Sequence, residues 1–206
     1  MGRGMEVPRF SLSHGQALWA ISSGQPASQL VKDQVRRLRQ LGVPFGTDDL
    51  GIGAGNRAKY RFEHLIELGL AVSGLRRGLK PSEAAAFVVQ HRPQLRRLYR
   101  QALEEQPEEA LQAEWVKSRG RMAPVMGHEV FVRLHDRYAE QPGRFDVLGT
   151  GDLSDLANLA EHYPGEQART LVPLTQLIIE LVAWAKEAPE TRPGPKSTRA
   201  ADAAHG

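Results

Sequence analysis

The sequence predicts a mainly α-helical protein with a small glycine-rich hairpin in its first half. Apolar residues recur at helical spacing along most of the chain, and Gly and Pro stand where the predicted helices end. Residues 1–100 carry 16 Lys+Arg against 7 Asp+Glu, whereas residues 101–206 carry 11 against 17. A basic half beside an acidic half is typical of a polyanion-binding module joined to a part with another task. Chance drift in the charge of helix surfaces is the alternative explanation.

The composition also bounds the class of protein. The 206 residues include no cysteine, which excludes disulfides, thiolate metal sites and thiol catalysis. No apolar run approaches the ~18–20 residues that cross a membrane. We therefore expect a soluble, cytoplasmic protein. It would have a disordered arm (1–9), a first domain (10–92), a helical second domain (93–188) and a disordered tail (189–206).

The second predicted helix carries the most informative pattern. Ser13 is expected to cap a first helix that reaches Ile21, and a second helix begins at Ala27 or Ser28 and ends at Leu41. One face of the second helix has an apolar stripe, and the other bears cations and amides. Such side chains reach phosphates and base edges in the major groove, although a solvated basic face explains the same pattern. The stripe is Val31, Val35, Leu38 and Leu41, and the opposite face carries Gln29, Lys32, Arg36, Arg37, Arg39 and Gln40.

A glycine-rich loop follows that helix and is long enough for a hairpin. Residues 45–55 contain the glycines, and residues 53–61 are cationic. A cationic hairpin beside a groove-reading helix is a wing that lies along the backbone or minor groove. The glycines do not form a nucleotide-binding phosphate loop, because no Gly-Lys-Ser/Thr follows them. The wing residues expected to contact DNA are Arg57, Lys59, Tyr60 and Arg61.

Two further helices complete the first half in this interpretation. Residues 62–75 are apolar around much of the helix circumference and should lie at the centre of the core. Pro81 begins the next helix, which we expect to break at His91–Pro93.

The order of these parts resembles the winged helix-turn-helix domain of MerR-type transcription regulators over roughly residues 10–90. Four segments carry the resemblance, and the family match implies a fold with a β-hairpin wing and a DNA-binding function. Arg36 stands where the family has its recognition-helix arginine. The segments are Phe10-Ser11-Leu12, residues 34–44 (QVRRLRQLGVP), Tyr60 with Glu63 and Leu65, and residues 75–84 (LRRGLKPSEA).

Several positions depart from the family pattern. Arg37 and Leu38 replace the usual pair of tyrosines, and the loop from Phe45 to Asn56 is longer. Ala58 stands where the family commonly has an arginine, between Arg57 and Lys59. The wing contacts should therefore be shifted relative to the family.

The second half is harder to interpret from its pattern. Pro107 should break the helix predicted for residues 95–116, because proline lacks an amide donor. Residues 125–138 fit either a helix or a strand, with a slight preference for a helix, and residues 143–149 favour an extended segment that can pair with them. Residues 152–163 should form a helix. Residues 171–185 form the most apolar helix, expected in a core or a homodimer seam.

The sequence gives no sign of catalysis. The histidines show no close metal-ligand spacing, and no serine stands in a nucleophile-elbow context, so we predict no enzyme activity, metal or cofactor. The favoured function is a dimeric, nucleoid-associated transcriptional regulator that reads double-stranded DNA, with a possible protein partner for its second domain. The alternative is a helical adaptor that uses the basic face of residues 29–40 on an acidic protein. A nonspecific nucleoid or single-strand binder is a weaker third interpretation, because aromatic platforms are not evident in residues 29–61.

Overall fold

The computed structural model is mainly helical, in agreement with the predicted class. It describes residues 7–46, 58–104, 106, 108–119, 130–134, 145–149 and 170–190. The helices are α1 (His14–Ile21), α2 (Gln29–Gln40), α3 (Phe62–Arg76), α4 (Pro81–Glu104), a 3₁₀ turn (Glu108–Leu111), α5 (Ala113–Arg119) and α6 (Leu174–Lys186). The strands are β1 (Val130–Leu134), β2 (Phe145–Gly149) and β3 (Thr170–Pro173).

The first two helices begin at the predicted caps. Ser13 Oγ accepts a hydrogen bond from the Gln16 amide (3.3 Å), and Gln16 Oε1 accepts one from the Ser13 amide (2.8 Å), which forms a capping box. Ser28 Oγ accepts from the Val31 amide at the start of α2 (3.3 Å). Gly42 follows α2 with a φ of +87°, a conformation that favours glycine. Both predicted helices are confirmed.

Helix α4 does not break at His91–Pro93, so that prediction was wrong. The helix continues through Pro93 to Glu104. Packing explains this, because Leu95 and Tyr99 beyond the proline are fully buried at 0% exposure. Burial on this scale offsets the ~3 kcal/mol that an interior proline costs a helix. The predicted domain boundary between residues 92 and 93 therefore lies inside a continuous helix.

Between α4 and the sheet, the chain follows the prediction of a broken helix. Helix α4 ends at Glu104, and the 3₁₀ turn and α5 follow as short separate pieces. Pro107, from which the break was predicted, lies outside the described residues.

A three-stranded antiparallel sheet occupies part of the second half, in the order β2-β1-β3. The slight preference for a helix over residues 125–138 was wrong, since Val130–Leu134 is a strand. Its neighbours explain the difference: β1 pairs with β2 on one side (Val130 opposite Gly149) and with β3 on the other (Phe131 opposite Pro173). The extended segment expected over residues 143–149 is confirmed as β2. The helix predicted for residues 152–163 lies outside the described residues.

Helix α6 belongs to the same core as the N-terminal helices. It starts at Leu174 instead of residue 171, because the preceding residues form β3. It packs against α1, α3, α4 and α5, and Leu174, Ile178 and Val182 are 0% exposed. Gly69 of α3 permits the close approach, since a Cβ there would lie 2.3 Å from Leu181 Cδ1. The predicted core position of this helix is confirmed, and its buried residues belong to the same hydrophobic cluster as those of α1 to α4. The division into domains 10–92 and 93–188 stays a prediction.

Other predictions concern the termini and the wing. Val7 packs against the core, so the disordered arm does not extend to residue 9; residues 1–6 and 191–206 lie outside the described part. A β-hairpin wing is not shown: residues 47–57 are not described, and Tyr60 forms an isolated antiparallel bridge with Leu12. None of the helices in the described ranges has the length and apolar character that crossing a membrane requires.

Candidate nucleic-acid interface

Helix α2 turns its cationic face to solvent. Val35 and Leu38 are buried at 0% exposure against the core, which fixes the orientation of the helix. The predicted contact residues on the other face are all exposed, and we call this set the α2 surface. It consists of Gln29, Lys32, Arg36, Arg37 and Arg39.

Hydrogen bonds organise most of the α2 surface. Asp33 Oδ1 accepts from Gln29 Nε2 (3.1 Å) and pairs with Arg36 Nη2 (2.8 Å), while Arg37 Nη1 donates to Gln40 Oε1 (3.2 Å). The Arg36–Asp33 pair is weak, because the two side chains are 72% and 43% exposed. The Lys32 side chain forms no hydrogen bond or ion pair with the described residues. Lys32 is therefore free to meet an anion, and Arg36 is easily released from Asp33.

The strand-like segment before α3 alternates between core and solvent. Tyr60 exchanges two backbone hydrogen bonds with Leu12 (2.8 and 2.9 Å), and its side chain is 0% exposed. Successive residues of an extended chain point to opposite sides, so Lys59 and Arg61 are exposed. Tyr60, which was predicted to contact DNA, is thus buried in this structure between two exposed cations, and its contact with DNA stays a prediction. Arg57 lies outside the described residues.

An aromatic cluster joins this segment to the end of α2. The Phe45 ring contacts Tyr60 and His64 edge-on, with centroids 5.0 and 4.9 Å apart, and the Arg39 guanidinium lies 5.9 Å from the Phe45 centroid. His14 Nδ1 and the Tyr60 hydroxyl share a 2.9 Å hydrogen bond. Burial lowers the pKa of His14, and the charge of Arg39 adds to this effect. The cluster places Arg39 close to the segment that carries Lys59 and Arg61.

A buried ion-pair network fixes the chain as it leaves α2. Glu67 of α3 is 0% exposed and accepts hydrogen bonds from Arg92 Nε and Arg96 Nε of α4, each at 2.9 Å. Arg92 Nη2 also donates to the carbonyls of Gly42 (3.1 Å) and Pro44 (3.0 Å). Burial raises the pKa of Glu67, and the charges of Arg92 and Arg96 act against that rise. The network ties α3 and α4 to the C-terminal end of α2.

Sequence reasoning missed three contributors to this interface. Asp33 was recognisable from its spacing, since it lies four residues after Gln29 and three before Arg36 on one helix face. The His14–Tyr60 hydrogen bond joins residues distant in sequence and left no local signal. Leu30 is 68% exposed at the N-terminal end of the α2 surface, where it adds an apolar group to a polar face.

Comparison with protein-family models, with curated proteins and with solved structures finds no match to this chain. The resemblance to MerR-type regulators therefore stays a prediction from the quoted motifs. The function has to be argued from the geometry of the α2 surface and its supports.

Proposed function

We propose that this chain is a sequence-specific, double-stranded DNA-binding transcriptional regulator that acts as a homodimer. Helix α2 would enter the major groove, and the segment around Lys59 and Arg61 would lie along the adjacent backbone. The observation that carries the proposal is the α2 surface itself. It presents amides and guanidiniums outward from a helix whose opposite face is locked into the core.

The chemistry of the α2 surface suits both parts of DNA recognition. Arg and Gln side chains form bidentate hydrogen bonds to guanine and adenine edges, and each good pair discriminates by about 1–3 kcal/mol. Lys32 offers a point charge for a phosphate, as do Lys59 and Arg61 beside the helix. Leu30 has the apolar character that contacts a thymine methyl group.

The rigidity of the supports favours groove reading over loose electrostatic attraction. Arg92 holds the exit of α2 through two backbone carbonyls, and the Phe45 cluster holds Arg39 near Tyr60. Side chains on a fixed helix lose less freedom on binding than side chains on a flexible segment. The aligned cations can therefore select one register on a duplex.

A helical adaptor for an acidic protein is the second candidate, and exposed Leu30 is the observation that favours it. An apolar side chain at the N-terminal end of a cationic face suits an acidic amphipathic partner as well as a thymine methyl. Salt sensitivity does not separate the two functions, because both are electrostatic. Selective binding of one duplex over unrelated DNA does separate them, because an adaptor has no such preference.

The test is selection of bound sequences from random duplex DNA at near-physiological salt, with the full chain. We expect an enriched motif with two inverted halves, as a dimeric reader gives. The double variant Lys32→Gln/Arg36→Gln should lose the motif, and Arg97→Gln/Arg100→Gln on α4 should keep it. No enrichment from a folded, monodisperse sample would reject DNA reading and leave the adaptor.

A further inference from the structure

A cavity of about 740 Å³ lies beside the first turn of α2, between three parts of the fold. Its walls come from the turn that joins α1 to α2, the last turn of α3, and the junction of β3 with α6. Small-molecule sites in proteins usually measure roughly 300–1,000 Å³ and lie where elements distant in sequence meet. The size and position of this cavity suit a ligand rather than a few waters.

Two adjacent arginines give the cavity a cationic side. Among the described residues, neither Arg76 nor Arg77 forms an ion pair with a carboxylate. Arg76 Nη2 donates to the Ile21 carbonyl (3.3 Å), and Arg77 Nη1 donates to the carbonyl (3.2 Å) and hydroxyl of Ser73. A guanidinium has five N–H donors, so most of theirs remain for an anion. Burial and the charge of Arg76 lower the pKa of Arg77, as expected for neighbouring cations without a counter-ion.

An unsatisfied hydroxyl lies beside the cavity, on the residue that follows the Ile21 carbonyl bound by Arg76. Ser22 Oγ is buried and has no hydrogen-bond partner in the described part of the chain. A buried polar atom without a partner costs about 1–3 kcal/mol, and a bound molecule is one explanation for such an atom. Ser22 lines the same cavity as the two arginines. Because this oxygen is closed to solvent, the Ser22 side chain must rotate before its hydroxyl can bond to a ligand held by them.

The remaining lining gives the cavity a mixed character. Val31, Val172 and Leu177 contribute apolar walls, which suit an apolar ligand body. Glu180 is the carboxylate among the described lining residues, and it accepts a hydrogen bond from Gln176 Nε2 (3.0 Å). The charged lining is thus two cations against one anion, which favours an anionic ligand over a cation.

We propose that this cavity binds a small molecule that carries one oxyanion, a carboxylate or a phosphate, on an apolar body. Arg76 and Arg77 hold the oxyanion, and the aliphatic walls cover the body. Such a ligand bridges the α1–α2 turn and α6. It therefore stabilises the folded chain, because it binds the native state and not the unfolded one. This binding does not depend on the proposed DNA function.

The test uses 8-anilinonaphthalene-1-sulfonate, a fluorescent probe with one oxyanion on an apolar body. We expect saturable binding at one probe per chain, and a higher unfolding midpoint in its presence. Arg76→Gln/Arg77→Gln should weaken binding by about tenfold or more, since charge-assisted hydrogen bonds are lost. Glu180→Gln should tighten it, and the matched pair Arg97→Gln/Arg100→Gln should leave it unchanged. Near-UV circular dichroism of each variant must match the parent.

Competition identifies the oxyanion. Displacement of the probe by benzoate or by phenyl phosphate supports the site, and the stronger competitor names the preferred group. Three results would overturn the proposal: binding that does not saturate at one site, equal binding by the arginine variant and the parent, or no displacement by either competitor. If the arginine variant loses affinity for duplex DNA but binds the probe normally, the two arginines contact the DNA backbone and do not bind a ligand in the cavity.

Discussion

The packing of Trp184 on Gly24 gives the sharpest test of the shared core. Gly24 lies in the α1–α2 turn with a φ of +72°, and a Cβ there would lie 2.4 Å from Cε3 and Cζ3 of the Trp184 ring. Alanine at this position meets two costs. The left-handed conformation costs an L-residue roughly 1–2 kcal/mol, and overpacking against a ring costs about 1–3 kcal/mol. We therefore expect Gly24→Ala to lower the free energy of unfolding by about 2–5 kcal/mol.

Gly78→Ala is the matched control, because it isolates the backbone cost. Gly78 has a φ of +93°, but nothing lies within 4 Å of the position of its Cβ. Replacing Gly by Ala also stabilises the protein by reducing the conformational entropy of the unfolded chain. This stabilisation is similar at both sites and cancels when the two variants are compared. The difference between the two variants, about 1–3 kcal/mol, is then the Trp184 contact.

Urea unfolding followed by circular dichroism measures both values, provided that the m-values agree. In a Trp184→Leu background the extra cost at Gly24 should disappear, as a double-mutant cycle requires for a direct contact. Equal destabilisation by Gly24→Ala and Gly78→Ala would refute the packing of α6 on the turn. It would also restore a boundary between the two halves of the chain.

The other predictions concern charge. Lys32→Gln should lower the slope of log affinity against log salt by about 0.9 for duplex binding, because one phosphate contact is lost. Arg100→Gln should leave this slope unchanged. Equal slopes for the parent and both variants would contradict a phosphate contact by Lys32. Glu67→Gln should lower the free energy of unfolding in urea by on the order of 3 kcal/mol, because it breaks a buried ion pair. Glu63→Gln on the same helix should lower it by less than about 1 kcal/mol. Similar values for the two variants would contradict the ion-pair network. Burial lowers the pKa of His14 below 6.5, so its contribution to stability is present above pH 6.5 and is lost as the pH falls through the folded pKa. The parent should therefore lose more stability than His14→Gln between pH 7.5 and 5, and parallel pH profiles would exclude this role.

Local signals were sufficient for the N-terminal helices. Ser13 caps α1 as predicted, and Ser28, one of the two residues expected to begin the second helix, caps α2, because a cap depends on residues three or four positions apart. The apolar stripe of α2 was also readable, since Val35 and Leu38 occupy the buried face. The exposure of the α2 surface followed directly from that periodicity.

Long-range packing decided what the sequence did not reveal. Proline predicted a break at residue 93, but the burial of Leu95 and Tyr99 keeps α4 continuous. The strand Val130–Leu134 pairs with a strand on each side, and these pairings cannot be predicted from the sequence of the segment alone. The cavity near Arg76 is formed by segments up to 158 residues apart in the chain, from Ser22 to Glu180. No local pattern predicts such a meeting.

The most direct test of the proposed function is the ratio of two affinities. The dissociation constant of the full chain would be measured for the selected duplex and for an unrelated duplex of equal length, at the same near-physiological salt. A sequence-specific regulator should prefer the selected duplex by about a thousandfold or more. A ratio near one, with both affinities falling steeply as salt rises, would contradict groove reading by α2.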